Sequence, residues 1–348
     1  LGRAVQGLGA GGIFPVASAV IGDTFPPEKR GSALGLIGAV FGIAFLIGPI
    51  LGGILLIFGW HWLFVINLPV AAVIIAVSMR TLPGARPRQQ RPFDWRGMVV
   101  LAALLASLAY GINRLDTSRV LASLAAADVW PFLLIGLLLI PVFGRIERSA
   151  EEPVLRLGLF RSRQVVLASA FAAGAGLGEA ALVFVPALLV AAFGVATSTA
   201  SFMLVPAVLA MAVGSPLAGR TLDRSGSKVV VLGGNLVIVI GALLVGSWAT
   251  NLIAFYIAAV LVGLGLSSLL GATLRYIMLN EAPVSDRAAA QGILTIFTSM
   301  GQLMGGALVG AIVASRGGGV PGYAAAYLVL GAVALLLRNP PTAGMRHL

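Results

Sequence analysis

The sequence has no cysteine and few charged residues. Without cysteine, its 348 residues cannot form a disulfide framework, a thiolate zinc site or a cysteine nucleophile. Charged residues make up 10% of the chain and hydrophobic residues 59%, whereas soluble domains have about 25% and about 45–50%. Such a chain cannot cover its apolar surface with polar side chains. This composition excludes an ordinary soluble enzyme and a disordered chain.

The residues that usually carry catalysis are also scarce. Only His61 and His347 are present, and they are too few and too far apart for a metal cluster. We find no paired catalytic carboxylates, Ser–His arrangement, P-loop or H-E-x-x-H motif. The sequence therefore predicts no metal, no cofactor and no enzyme activity. Without a P-loop, any transport by this chain would draw on an ion gradient rather than on ATP.

Long apolar runs dominate the sequence. Eleven of them approach the length of about 20 residues that a helix needs to cross a bilayer. They are apolar throughout rather than alternating, which favours spanning helices over barrel strands. The runs cover residues 3–22, 33–57, 60–79, 97–114, 129–146, 165–193, 199–219, 229–248, 252–274, 288–314 and 321–337.

The charge distribution gives an orientation. The chain has 23 basic and 12 acidic residues, a net charge of +11, and 19 of the basic residues fall in alternate connections between the runs. The other connections hold Arg114, Arg119 and Arg316. The positive-inside rule predicts a multi-pass protein of the cytoplasmic (inner) membrane with a cytoplasmic C-terminus. This asymmetry accounts for the basic excess, and no basic patch with interleaved aromatics indicates nucleic-acid binding.

The first run begins at the very start of the chain and would enter the membrane from the outer side. We therefore expect that membrane spans precede residue 1 in the whole protein. We also expect that the chain as given does not transport by itself.

An internal repeat is visible at a shift of 257 residues. The segment 26–35 aligns with 283–292, and the match continues into the runs that follow. Identical pairs include Pro26/Pro283, Arg30/Arg287, Ala33/Ala290 and Gly35/Gly292. Parallel halves with a binding site between them are a known plan of membrane transporters.

Glycines are concentrated in the second run, from Gly38 to Gly53. Small residues spaced along one helix face let a neighbouring helix approach closely, and Pro49 removes a backbone hydrogen bond. Close helix packing in any membrane protein would also account for these residues.

Four segments together resemble one family. Residues 38–53 resemble motif C, the antiporter motif of the major facilitator superfamily, and residues 3–9 resemble its motif B on the fourth helix. Residues 219–228 are similar to the second-half copy of motif A. Residues 60–69 resemble the start of the sixth helix in the fourteen-span drug:proton antiporters of the EmrB/QacA type.

The resemblance implies an all-α integral membrane protein with the major facilitator fold and about 11 of 14 transmembrane helices. Residues 1–80 would be the remainder of the N-terminal bundle, helices four to six. Residues 81–163 would be a linker with two extra transmembrane helices, and residues 164–348 a C-terminal six-helix bundle.

The resemblance also assigns roles to residues. The antiporter motif would comprise Gly38, Gly42, Gly48, Pro49, Gly52 and Gly53. A charge cluster that latches one closed state would comprise Gly219, Asp223, Arg224, Gly226 and Lys228, together with Arg30 and Asp23. Asp23 would pair with a first copy of motif A that precedes residue 1. The alternative for the cluster is a solvated loop with ordinary cytoplasmic charge.

Glu179 is the clearest ionisable residue at membrane depth. Nearby glycines and Pro186 predict a broken or kinked helix, a typical place for a transport site. Since lipid disfavours the charged form of a carboxyl, Glu179 suits a reversible proton carrier or the partner of a cationic substrate. A hydrogen-bonded structural carboxyl is the alternative. Arg3 resembles the motif B arginine that the family associates with proton coupling, and Gln6 would share its cavity. An interfacial arginine that snorkels to the headgroups is the alternative for Arg3.

The other polar residues in the runs have less specific interpretations. Arg275 is predicted to snorkel from a cytoplasmic helix end. Thr295, Ser299 and Gln302 form one polar stripe, which is predicted to join helices rather than to line a pathway. Asn67 is open to both interpretations.

The sequence thus predicts a secondary transporter that exports amphipathic or cationic organic compounds against inward proton flow, as in drug efflux and antibiotic resistance. Its partners would be a small organic substrate, protons, the lipid bilayer and accessory export proteins. An exporter of an endogenous metabolite or natural product is one alternative. A non-transporting membrane remnant or sensor is another.

Overall fold

The computed structural model describes residues 2–81 and 94–338, and this part of the chain is helical and contains no strand. The predicted linker residues 82–93, the C-terminal residues 339–348 and Leu1 lie outside the described residues. Within the described ranges the α-helices are α1 Gly2–Thr24, α2 Pro27–Phe58, α3 Trp62–Val65, α4 Asn67–Thr81, α5 Trp95–Asn113, α6 Val120–Leu124, α7 Trp130–Ser149, α8 Arg163–Phe193, α9 Thr197–Phe202, α10 Val205–Ser225, α11 Ser227–Ser247, α12 Leu252–Ser267, α13 Leu274–Glu281, α14 Arg287–Ser315 and α15 Gly319–Arg338.

Ten helical stretches of the described residues are long and apolar enough to cross a membrane. The helix α2 is not one of those ten, but its 32 residues extend well beyond the bilayer core of about 30 Å at about 1.5 Å per residue. Each of the eleven predicted runs is therefore helical. Hydropathy located these helices well because lipid requires every backbone donor and acceptor to be satisfied within its own segment.

Several connections between helices meet at one end of the molecule. There the turns α1–α2, α10–α11 and α13–α14 lie together with the connection before α8. That connection is attached to the α13–α14 turn, because Arg156 pairs with Asp286 at 2.9 Å and Ser162 hydrogen-bonds Glu281. We call this the basic end and the opposite one the distal end.

The core lies mainly among α8 and α10–α15, with two large apolar clusters along α8. The helix α2 packs along α10, α14 packs along α8, and α11 packs against α12 and α15. The helices α5 and α7 pack mainly on each other. A methyl group added to Gly111 would lie 2.7 Å from the Leu133 side chain, so these two helices are in close contact.

Two helical segments need separate comment, one for its geometry and one because it differs from the sequence-based prediction. A π-helical turn, Ser268–Thr273, joins α12 to α13, and the Thr273 hydroxyl donates to the Ser268 carbonyl at 2.7 Å. The helix α8, by contrast, continues unbroken for 31 residues through Pro186. Of the predicted broken or kinked helix near Glu179, the break is absent.

Candidate functional site

Glycines bring α8 and α14 close enough for Glu179 to reach its partner. A methyl group on Gly305 would lie 2.9 Å from the Cα of Leu177, and one on Gly176 would lie 3.0 Å from the backbone nitrogen of Gln302. At this crossing Gln302 Nε2 donates a hydrogen bond of 2.8 Å to Glu179 Oε2. The carboxyl of Glu179 thus has a neutral amide as its hydrogen-bond partner.

The Glu179 carboxyl faces a cavity of about 170 Å³, which we call the inner cavity. It lies between α1, α2, α8, α10, the π turn with α13, and α14. Its wall combines polar and apolar side chains in equal number, seven of each, with two glycines. Polar lining residues are Glu179, Ser267, Arg275, Thr295, Thr298, Ser299 and Gln302.

A second and larger cavity of about 610 Å³ adjoins the inner one, and we call it the wide cavity. Glu179, Met211 and Gln302 line both cavities, so the carboxyl lies where they meet. Apart from Glu179 and Gln302, the wide cavity is lined by apolar residues, among them Phe45 and Phe184. The pair of cavities therefore joins a compartment of mixed polarity to an apolar one.

Arg275 supplies the positive charge of the inner cavity. Its Nη1 donates to Ser18 Oγ at 3.3 Å, and its guanidinium carbon lies 5.6 Å from the centroid of the Phe14 ring. Its Nε is buried and has no hydrogen-bond partner among the described residues. No carboxylate of the described ranges forms an ion pair with it.

Toward the basic end, α2 and α10 close the space below the inner cavity. A methyl group on Gly35 would lie 2.8 Å from the Ser215 carbonyl oxygen, and one on Gly42 would lie 2.6 Å from the Ala212 backbone. The contact follows a stripe of glycines on α2, namely Gly31, Gly35, Gly38 and Gly42. Along this stripe only glycine lets the two backbones approach so closely.

Asp223 ties α10 to α2 at the basic end of that stripe. Its carboxylate accepts hydrogen bonds from the backbone nitrogens of Gly31 at 2.7 Å and Ser32 at 2.8 Å. The Ser32 hydroxyl adds a third bond of 2.5 Å. Hydrogen bonds to an ionised acceptor are stronger than neutral ones, so Asp223 holds this end of the helix pair.

Two arginines make a second set of contacts at the basic end. Arg287 donates to Asp23 Oδ1 at 2.5 Å and to the Gly22 carbonyl at 2.9 Å. Arg30 donates to Asn280 Oδ1 at 3.4 Å. In the sequence repeat Arg30 corresponds to Arg287 and Asp23 to Asn280, so each arginine reaches the acceptor position of the other copy.

A sequence model of the major facilitator superfamily matches residues 1–178 and 166–345. These two matches overlap and cover nearly the whole chain. The chain belongs to the major facilitator superfamily. Membership places it in a family of multi-pass membrane transporters rather than among enzymes.

Individual relatives agree with the superfamily assignment. The MFS-type transporter YfiU of Bacillus subtilis (strain 168) is 32% identical over 308 residues, which are 86% of this chain and 59% of YfiU. Multidrug resistance protein 3 of the same organism is 27% identical, over 89% of this chain and 60% of its own length. The multidrug transporter MdtP, also of B. subtilis, is 30% identical, over 91% and 58%. The chain thus spans somewhat under two thirds of the length of these curated relatives.

The fold has a solved counterpart in the same superfamily. The crystal structure of the human organic anion transporter MFSD10 (TETRAN) superposes with a TM-score of 0.66 over 93% of this chain and 66% of that protein, at 16% sequence identity. At this identity the likeness concerns the fold alone. The predicted fold class, an all-helical membrane protein with the major facilitator fold, is confirmed.

The segment similar to motif C of the superfamily divides into two parts. Gly38 and Gly42 lie in the contact with α10. By contrast, an added methyl group on Gly48 or Gly53 would meet no described atom within 4 Å, and one on Gly52 would just touch Leu63. The side chain of Pro49 lies outside the described part. The motif is therefore a packing surface in its first half only, as far as the described residues go.

The segment similar to motif A is likewise divided. Gly219 packs against Gly31, and Asp223 binds α2. Gly226 turns the chain from α10 to α11 with a φ of 78°, a conformation that favours glycine. Arg224 and Lys228 are exposed, and neither makes a side-chain hydrogen bond or ion pair among the described residues. Within these ranges Asp223 is thus the charged side chain of residues 219–228 that joins α10 to α2, while Arg30 and Asp23 make the separate contacts described above.

In the segment similar to motif B, none of the side chains that the structure describes lines the inner cavity. Gln6 lies on α1 with an exposed side chain, about eight residues before Phe14, which lines the cavity. The backbone of Arg3 belongs to α1, but its side chain lies outside the described part. Among the described residues Asp23 pairs with Arg287, and its expected pairing with a segment before residue 1 stays a prediction.

Sequence reasoning misjudged the polar residues of two helices. Arg275 lines the inner cavity and donates to Ser18 rather than snorkelling to the surface. The stripe Thr295, Ser299 and Gln302 lines the cavity, and Gln302 also joins α14 to α8. Asn67 bonds only the Leu63 carbonyl of its own segment among the described groups.

Proposed function

We propose that this chain is the main part of a secondary transporter that exports amphipathic or cationic organic compounds by proton antiport. The observation that carries the proposal is the position of Glu179. It is a membrane-depth carboxyl whose described partner is neutral, and it lies where a cavity of mixed polarity meets an apolar one.

In this mechanism Glu179 binds either a proton or the cationic group of the substrate. A carboxylate in a cavity surrounded by lipid and protein is costly unless it is neutralised. Gln302 orients the carboxyl but brings no charge, so neutralisation must come from a bound proton or cation. A substrate that enters the cavity would displace the proton, and a proton from the other side would later displace the substrate.

Alternating access would use the contact between α2 and α10 as its gate. The glycine stripe and Asp223 close the basic end. Breaking the hydrogen bonds of Asp223 and separating the two helices would open the inner cavity toward that end. The two groups of helices would then rock about the cavity, as in other transporters built from repeats.

We further propose that the protein is of the fourteen-span type, with its basic end in the cytoplasm of the inner membrane. The paired helices α5 and α7 support the first point, because they pack mainly on each other beside the bundle. They would be the extra pair within a linker of residues 81–163, between bundles of residues 1–80 and 164–348. The excess of basic residues in alternate connections supports the second point.

The proposal is tested by transport in inside-out vesicles, with the protein expressed from the natural start of its gene. Uptake of the lipophilic cation rhodamine 6G would be followed while a pH gradient, acidic inside, is imposed and then collapsed. We expect uptake that requires the gradient and is lost in Glu179→Gln. Asp128→Asn is the matched control, since Asp128 is an exposed carboxyl in a connection at the distal end.

Two results would contradict the proposal. Gradient-driven uptake that survives Glu179→Gln would remove this carboxyl from the mechanism. Absence of uptake by folded, inserted protein would exclude broad cation efflux, and would favour a dedicated exporter of a metabolite or natural product, or a protein without transport activity.

A further inference from the structure

The inner cavity contains a cation that proton antiport does not require. Arg275 lines the same cavity as Glu179, yet the two do not form an ion pair in this structure. A buried guanidinium is costly unless it is paired and hydrogen-bonded. Its charge is therefore available to a ligand that enters the cavity.

The hydrogen bonding of Arg275 is incomplete on every side that the structure describes. Of its five N–H donors, one makes a long bond of 3.3 Å to Ser18 Oγ, and Nε has no partner. Ser18 is fully buried, and the other contact is the apolar face of Phe14. The surroundings hold the guanidinium in position without neutralising it.

The shape of a planar guanidinium selects among anions. It presents parallel N–H groups whose spacing matches the two oxygens of a carboxylate. The hydroxyls of Thr298 and Ser299 line the same cavity as Arg275, and each has one O–H that can donate to a carboxylate. Hydrogen bonds from these protein groups would replace the hydration shell of the carboxylate.

The two charges and the two cavities together describe one ligand. We propose that the transporter binds amphipathic zwitterions, with a carboxylate on Arg275, a cationic group at Glu179 and an apolar body in the wide cavity. This inference rests on the proposed function, whose proton exchange at Glu179 it keeps, and it adds a second charge to the substrate. A purely cationic ligand would leave Arg275 unpaired and would therefore bind less tightly than a zwitterion.

The inference is tested with two dyes that differ in one group. Rhodamine B carries a delocalised cation and a carboxylate, whereas in rhodamine B ethyl ester the carboxylate is masked. Binding of each dye to the purified protein, expressed from the natural start of its gene, would be measured by fluorescence polarisation. Gradient-driven uptake of each dye would be measured in vesicles.

We expect the wild-type protein to bind rhodamine B at least about tenfold more tightly than the ester, a difference of about 1.4 kcal/mol, because only the carboxylate of rhodamine B can form charge-assisted hydrogen bonds with Arg275. Arg275→Gln should abolish this preference by weakening the binding of rhodamine B alone. Arg275→Lys retains the charge without the planar guanidinium and should give an intermediate preference. If Arg275→Gln fails to fold, Arg275→Lys tests the same preference. Arg316→Gln, an exposed arginine at the distal end, should leave the preference unchanged.

The possible failures are distinguishable. If both dyes bind equally and Arg275→Gln does not change their ratio, the inference is overturned while gradient-driven uptake of the ester still supports proton antiport. If neither dye is bound or moved by folded protein, the proposed function fails, and this inference fails with it.

Discussion

Arg287 pairs with Asp23 across 264 positions of the sequence, and the repeat relates this contact to a second one of different chemistry. The equivalent arginine, Arg30, faces Asn280 rather than a carboxylate. The pattern is that of a pseudo-two-fold interface, in which each copy contacts the other through the same positions. One of the two contacts is an ion pair, and in the other the arginine faces the uncharged amide of Asn280.

The neutral contact can be converted into a second ion pair. Asn280→Asp would place a carboxylate opposite Arg30 and should stabilise the closed basic end by about 0.2–1 kcal/mol, the usual range for an accessible pair. The chain has no cysteine, so Thr295→Cys in the inner cavity would be its single thiol. We expect Asn280→Asp to slow labelling of this thiol from the basic end by up to about fivefold, and Asn280→Ala to leave it unchanged or faster.

Loss of the Asp223 charge should have the opposite effect. Asp223→Asn weakens three hydrogen bonds to α2, each of a kind worth about 1.5–3 kcal/mol when the acceptor is ionised. We expect the single thiol at position 295 to be labelled from the basic end about tenfold faster or more. Lys228→Gln, which changes an exposed charge without a described partner, is the control. Equal labelling rates in both variants would mean that Asp223 does not hold the gate.

The glycine stripe predicts a sharp difference within one motif. Gly42→Val would insert a branched side chain where the Ala212 backbone lies 2.6 Å from an added methyl group, and overpacking of this kind costs about 1–3 kcal/mol. We expect a lower melting temperature in detergent and loss of transport. Gly48→Ala should preserve both, since a methyl group there meets no described atom within 4 Å. The opposite order would show that the contact between α2 and α10 does not determine stability.

The sequence located the membrane helices well and their contacts poorly. Hydropathy depends on local composition, and each apolar run became a helix within a few residues of its predicted bounds. The glycine stripe of α2 correctly indicated a close neighbour, but it could not identify that neighbour as α10, because α10 begins more than 140 residues later. The pairing of Asp23 with Arg287 was hidden for the same reason.

The main error at the site concerns the direction of the Arg275 side chain. The direction of a side chain depends on the helical register before it, and the π turn Ser268–Thr273 changes that register without a recognisable local signal. Arg275 was therefore assigned to the surface. Glu179 was easier to select as a candidate from the sequence, because a carboxyl in the middle of an apolar run is costly wherever its side chain points. Pro186 does not break α8, because a packed helix can tolerate a proline in its interior.

The central claim is that Glu179 exchanges a proton for the substrate, and proton release on substrate binding tests it most directly. Purified protein in weakly buffered detergent solution would be mixed with rhodamine 6G while a pH indicator records released protons. The account predicts release from the wild-type protein and from Asp128→Asn, and none from Glu179→Gln. Binding of the dye without proton release by the wild-type protein, or equal release by Glu179→Gln, would contradict it.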